Sequence, residues 1–149
     1  MRYVAIDLGD RRTGLATGDS VMRTAMPVSV VEVAISERGG EALLEALERA
    51  IAEQVGPEHE LVVGLPLNMD GTEGPRAKLV RQFAERIGQR VGRAVRFQDE
   101  RLTSAAADWQ MAQSGLTHKQ KKERRDALAA AALLQDFLNA LPRREEAAD

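Results

Sequence analysis

The 149-residue chain contains no cysteine. Disulfides and thiolate metal sites are therefore excluded, and a reducing cytosol is the expected setting. Aromatic residues make up only 3% of the chain. That argues against single-strand recognition by stacking bases on aromatic side chains. Long hydrophobic runs are also missing. The longest, residues 127–134, is far below the roughly 20 residues a membrane-spanning helix needs. The first strand begins almost at residue 1, so no signal peptide is expected. Neither sign of charge dominates, because the net charge is −2. The average conceals a split. Residues 32–60 hold eight acidic side chains and two Arg, whereas residues 76–101 hold eight basic side chains and three acidic ones. A second basic cluster lies at residues 119–125. Such asymmetry suggests one face turned toward a polyanion and another solvated and acidic.

What is present begins with Tyr3-Val4-Ala5-Ile6-Asp7-Leu8-Gly9. The apolar run reads as a buried central strand. An Asp inside it is costly unless paired, hydrogen-bonded or bound to a cation. Residues 13–19 suit an antiparallel partner, with Asp10-Arg11-Arg12 as the turn. Residues 25–33 read as a third strand, placed at an edge by Pro27. Leu43, Leu47, Ile51 and Val55 mark a helix over 41–55. Residues 61–65 form a short buried strand, and 66–74 a loop with an Asp70-Gly71 turn. Pro75 opens a helix with Leu79, Phe83, Ile87 and Val91 on one face. A strand over 94–97 follows. Thr103 is the expected cap of a helix reaching about Gln113. Residues 116–122 are expected to be mobile, and a last helix runs from about Glu123 to Leu141. The expectation is one domain, residues 1–142, with a disordered tail at 143–149. It is an α/β fold whose five-stranded mixed sheet combines a three-strand antiparallel meander with two crossover strands. Helices flank both faces.

Three carboxylates occupy special positions in this layout. Asp7 closes the first strand, Glu100 follows the last, and Asp126 shares a helix stripe with Ala130, Leu133 and Phe137 that must face the sheet. Convergence of three anions calls for cations. A pair of divalent ions held by oxygen ligands satisfies it, and two-metal sites cleave phosphodiesters. Local alternatives stay open: an ion pair of Glu100 with Arg101 or Arg96, and a favourable helix-end charge for Asp126.

Four stretches together resemble the YqgF family, also called RuvX: Asp7-Leu-Gly-Asp-Arg-Arg-Thr-Gly-Leu-Ala, Val63-Gly-Leu-Pro-Leu-Asn-Met-Asp-Gly-Thr-Glu-Gly-Pro, Asp99-Glu-Arg-Leu-Thr-Ser and Arg125-Asp-Ala-Leu-Ala-Ala. The resemblance implies an RNase H-like fold related to Holliday-junction resolvases. It implies a cytoplasmic bacterial nuclease that processes the 5′ end of precursor 16S ribosomal RNA. The family's acidic residues fall on Asp7, Glu100 and Asp126, which would hold Mg²⁺ or Mn²⁺.

Arg12, Arg76 and Arg101 are candidate phosphate contacts, as are Lys119, Lys121, Lys122 and Arg125. Asn68, with Thr72 and Glu73, either positions substrate or only shapes its loop. The resemblance favours the former. His59 and His118 are expected at the surface, and Trp109 with Met111 in a core or interface. The reading is a metal-dependent nuclease acting on an rRNA precursor. The rivals are a DNA junction endonuclease and a non-catalytic RNA-binding assembly factor, and clustered anions argue against the latter. An actin-like ATPase lobe lacks its second phosphate motif. No membrane contact is expected, and monomer and homodimer both remain open.

Overall fold

The computed structural model describes residues 1–101, 115 and 117–142, with the backbone alone at 121–123. The strands are β1 (Arg2–Leu8), β2 (Thr13–Asp19), β3 (Ala25–Val31), β4 (Glu60–Leu65) and β5 (Val95–Asp99). The helices are α1 (Glu41–Gln54), α2 (Pro75–Val91) and α3 (His118–Ala140), and a 3₁₀ turn at Glu37–Gly40 precedes α1. Among the described residues the strands form one sheet in the order β3-β2-β1-β4-β5. The pairs β1–β2 and β2–β3 are antiparallel, whereas β1–β4 and β4–β5 are parallel. This is the expected meander with two crossover strands. β3 lies at the edge, where Pro27 removes no needed ladder bond.

β1 is central and buried on both faces, and period-two alternation sorts its side chains. Val4, Ile6 and Leu8 enter one cluster with Leu43, Leu47 and Ile51 of α1 and Val80, Phe83 and Ile87 of α2. Tyr3 and Ala5 enter a second with Ala130, Leu133, Leu134, Phe137 and Leu138 of α3. The ring of Tyr3 meets that of Phe137 edge-on, with centroids 5.1 Å apart. Helices therefore cover both faces. On α2 the buried stripe is rotated from the expected one. Leu79 is 41% exposed while Val80 is buried, because Val80, Phe83, Ala84 and Ile87 follow the same face more closely.

The last helix departs most from expectation. It starts at His118, not near Glu123. Thr117 caps it by accepting a bond from Gln120 N–H, and the Gln120 side chain returns a bond to the Thr117 N–H. This reciprocal pair satisfies two otherwise orphaned donors. Residues 118–122 are consequently helical, and Asp126 lies beyond the first turn, where the helix-end charge has faded. At the other end, Arg23 Nη2 donates to the carbonyls of Leu138 (2.6 Å) and Leu141 (2.9 Å). Gln135 bonds the backbone at Ala25 and Arg23. The β2–β3 hairpin thus fixes the C-terminal end of α3. The expected helix at 103–113, Trp109, Met111 and the tail at 143–149 lie outside the described residues.

Candidate active site

Asp7 shares the α3-facing side of β1 with Tyr3 and Ala5. Its neighbours across the sheet are both glycine. Gly14 pairs with it on β2. Gly64 follows Val63, the β4 partner of Ile6. Each glycine leaves room for another acidic residue. A Cβ on Gly14 would lie 1.9 Å from the Asp126 carbonyl oxygen, so the α3 backbone rests directly on β2. A Cβ on Gly64 would lie 2.7 Å from Glu100 Oε2. Glu100 follows β5, and its N–H donates to the Leu65 carbonyl at 3.3 Å. The three acidic residues are therefore brought to one end of the sheet around Asp7.

Electrostatics follow from this placement. The Asp7 carboxyl is pushed up from 3.8 to about 7. Burial is the largest cause, followed by the negative charges of Glu100 and Asp126 and a hydrogen bond to Glu100. Glu100 is also raised, chiefly by burial, while the Arg76 charge and the Asp7 bond oppose the shift. The two carboxyls are hydrogen-bonded to each other. Among the described residues no group of three His, Cys, Asp or Glu side chains stands in a metal-holding arrangement. Asp7 and Glu100 make the contact, and Asp126 acts on Asp7 by charge. The donor chemistry fits a hard divalent cation, being all oxygen and anionic.

A cleft of about 460 Å³ opens beside Asp126, lined by Gly9, Asp10, Arg11, Arg12, Arg125 and Asp126. Arg11, Arg12 and Arg125 have no ion-pair partner among the described residues. Arg11 is absent from the sequence-derived candidates. Its signal was present, since it adjoins Arg12 in the turn after the first strand. The other arginine candidates are engaged within the protein. Arg76 bonds the Asp10 carboxylate and the Leu8 carbonyl. Arg101 grips Asp99 through Nε and Nη2 and donates from Nη1 to the carbonyls of Asn68 and Met69. Asn68 Nδ2 donates to Thr72 Oγ1 at 3.0 Å, and Glu73 pairs with Arg81. Lys119 is exposed on α3, and the Lys121 and Lys122 side chains lie outside the described residues.

His59 is a correction: it is 5% exposed, not a surface side chain. Its Nδ1 lies 3.0 Å from the Gly56 carbonyl, and Nε2 has no partner among the described residues. It sits at the strand starts, in the wall of a cavity of about 780 Å³ with Arg2 and Arg93.

The profile of a protein family described as RuvX: Holliday junction resolvase matches residues 1–140. The chain belongs to the RuvX family. A relative in Anaeromyxobacter sp. (strain Fw109-5), named as a candidate pre-16S rRNA nuclease, is 43% identical over 140 residues, covering 93% of this chain and 97% of the relative. One from Myxococcus xanthus (strain DK1622), named alike, is 37% identical over 94% of this chain and 89% of its own length. Among solved structures, Thermus thermophilus RuvC in complex with a Holliday junction substrate superposes with a TM-score of 0.58, at 19% identity over 94% of each chain. A second T. thermophilus RuvC structure gives 0.52 at 16% identity, covering 94% of this chain and 95% of that one. This RuvX chain therefore has the RNase H-like fold that its sequence led one to expect. No helix among its described residues is long and apolar enough to cross a membrane.

Proposed function

We propose that the chain is a metal-dependent nuclease that hydrolyses phosphodiester bonds in structured nucleic acid, with precursor 16S ribosomal RNA as its substrate. One observation carries this reading: a half-buried, hydrogen-bonded carboxylate pair, Asp7 and Glu100, stands with Asp126 beside a cleft whose three arginines have no described ion-pair partner. Asp7, Glu100 and Asp126 would hold one or two Mg²⁺ or Mn²⁺ ions. Such ions, when bound, activate water and stabilise the leaving oxygen. The chain's own groups do the rest. Asp7, raised to about 7, must give up its proton before both of its oxygens can serve as ligands. Arg11, Arg12 and Arg125 offer charge-assisted bonds to phosphate oxygens. Lys119, and Lys121 and Lys122 by their place on α3, extend that basic edge. Arg76 stays on Asp10 and Leu8 and offsets part of the carboxylates' repulsion. Asn68 and Arg101 shape the loop beside Glu100 and are not assigned to phosphate. A cytoplasmic location accords with an rRNA precursor. One chain supplies all of these groups, so the chemistry requires no second copy.

The substrate rests on the names of the relatives. A second reading, cleavage of branched DNA, is favoured by the family description and by the RuvC likeness. Purified protein should be assayed on a 16S precursor transcript and on a four-way DNA junction, with Mg²⁺, Mn²⁺ or chelator. Asp7→Asn, Glu100→Gln and Asp126→Asn should each abolish cleavage. Cleavage of the junction alone would favour the second reading. Cleavage surviving chelation would remove the metal, and binding without cleavage of either would leave a non-catalytic RNA-binding factor.

A further inference from the structure

Two turns lie side by side where the parallel strands β4 and β5 begin. The six-residue β4 holds them about 20 Å from the carboxylates at its other end. Each turn follows a helix that ends at a left-handed glycine. Gly56 (φ 93°) donates its N–H to the Ile51 carbonyl at 3.2 Å, and Gly92 (φ 69°) donates to the Gly88 carbonyl. Arg93 N–H joins that same Gly88 carbonyl at 3.0 Å. The backbones that carry His59 and Arg93 are therefore fixed. Between the turns stand two cavities, of about 780 and 340 Å³, and His59, Pro57 and Arg93 line both.

The His59 ring is only half satisfied. A carbonyl can only accept, so Nδ1 donates to Gly56 and the neutral ring keeps a bare lone pair on Nε2. That nitrogen is buried and has no partner among the described residues. The charges around it lean positive. Arg2 of β1 donates from Nη1 to the Val55 carbonyl at 2.9 Å, and helix C-terminal ends draw cations in this way. Arg93 is not so used. Its half-buried side chain has no hydrogen-bond or ion-pair partner among the described residues. The Met1 amine, also in the wall of the larger cavity, donates to Ser20 Oγ. Of the acidic neighbours, Glu60 pairs with Arg96 and Glu48 with Arg90, and Glu58 is exposed. We propose that the larger cavity is a second binding site, for a phosphate monoester, held by Arg93 and Arg2 and hydrogen-bonded to His59 Nε2.

Two demands select this ligand class. The guanidinium groups call for anionic oxygens, and Nε2 calls for a donor. A monoester supplies both, because its second ionisation lies at about 6 and one oxygen can carry a proton. A phosphodiester link has no such proton. Burial above all, and then the charges of Arg93 and Arg2, hold the free imidazole below its ordinary value against the Gly56 bond. An anion between the arginines cancels their part, so the bound pair holds one proton, on oxygen or on Nε2. Hydrolysis of any phosphodiester leaves a monoester on one of the two new ends. A cut strand and a free mononucleotide therefore share this chemistry.

The test uses the full wild-type chain in chelator, so that RNA stays uncut, at constant ionic strength. Imidazole resonances are followed by NMR. The chain has two histidines, and His118, exposed on α3, is the internal control. Inorganic phosphate should shift the His59 resonances saturably and raise their titration midpoint, leaving those of His118 in place. Affinity should fall about tenfold per pH unit above neutrality, as the one bound proton is lost. Sulfate has the shape without the proton and should do neither at pH 7. An equal response to sulfate would overturn the monoester assignment, and no His59 response to millimolar phosphate would overturn the site. Arg93→Gln should weaken phosphate binding about tenfold or more with an unchanged melting temperature. Unweakened binding in that variant would also overturn the site. Adenosine 5′-monophosphate and a short RNA with and without a terminal phosphate separate the sources. Tighter binding of the phosphorylated RNA supports the site as one for a strand end, and tighter binding of the nucleotide supports it as one for a free mononucleotide. An equal His59 response to RNA lacking the terminal phosphate would overturn the inference. The readout sits at the far end of the sheet, so its failure leaves the nuclease reading untouched.

Discussion

Replacing Asp7 by Asn should stabilise the metal-free protein, and increasingly so as pH rises. The folded-state value near 7 stands about three units above an ordinary aspartate. At about 1.4 kcal/mol per unit, the charged form costs the fold about 4 kcal/mol. The sign follows from linkage. Below the ordinary value near 3.8 both states are protonated and the cost is nil. It grows as pH rises through that value and is complete above about 7, where both states are ionised. Asparagine keeps the volume and a hydrogen bond to Glu100 without the charge. The figure of about 4 kcal/mol is a ceiling, since Asp7 and Glu100 titrate as a pair and share the shift. For a chain of this size roughly 2–4 °C accompanies each kcal/mol, so the ceiling is a melting difference of about 8–16 °C at pH 8. Thermal melts of both proteins in chelator, from pH 4 to 8.5, read it directly. A difference that stays flat across that range would refute the electrostatic reasoning. An asparagine variant less stable at pH 8 would make Asp7 a structural residue first.

Gly14→Ala should lower stability by about 3 kcal/mol or prevent folding, since its Cβ meets helix backbone that cannot yield. Gly64→Ala meets only side-chain atoms, and should lose activity with a smaller melting change. Both are read by paired melting and cleavage assays. Changing Arg11, Arg12 and Arg125 to Gln should lower the log–log salt slope of duplex binding by about 2–3, at roughly 0.9 per phosphate lost. An unchanged slope in fluorescence titrations would place the strand elsewhere. Mn²⁺ at about 100 times its dissociation constant should stabilise the wild type by about 2.7 kcal/mol. That corresponds to roughly 5–11 °C, with no shift in Asp7→Asn. Equal response of the two proteins in thermal melts would detach the ion from Asp7.

The sheet was legible because its signals are local. Continuous apolar runs mark β1 and β4, Pro27 marks an edge, and Pro75 marks a helix start. The acidic trio was legible because each member sits at an element end or on a stripe that Leu133 and Phe137 force inward. What sequence did not disclose depends on partners distant along the chain. Arg76 looks like a free cation until Asp10 is brought beside it, 66 residues away. Arg101 looks free until β4 delivers the 66–74 loop to it. The start of α3 was obscured for another reason. Residues 116–122 are so polar that periodicity is silent, and the decisive signal is the two-residue exchange between Thr117 and Gln120. His59 adjoins charged Glu58 and Glu60, and only its return to the Gly56 carbonyl explains its burial.

The glycines flanking Asp7 also determine how this chain can vary. Any missense change at codon 14 or 64 adds at least a Cβ. At Gly14 that atom has nowhere to go except into the helix, so intolerance there should show as loss of protein from the cell. Arg11 and Arg12 sit at the opposite extreme, exposed and free to be replaced without disturbing any packed neighbour. A saturation library scored once for abundance and once for cleavage should therefore separate the two kinds of position. Codon 14 would be depleted in both scores. Codons 11 and 12 would be silent in the first and selective in the second, and the gap between the scores would trace the substrate's path across the protein surface.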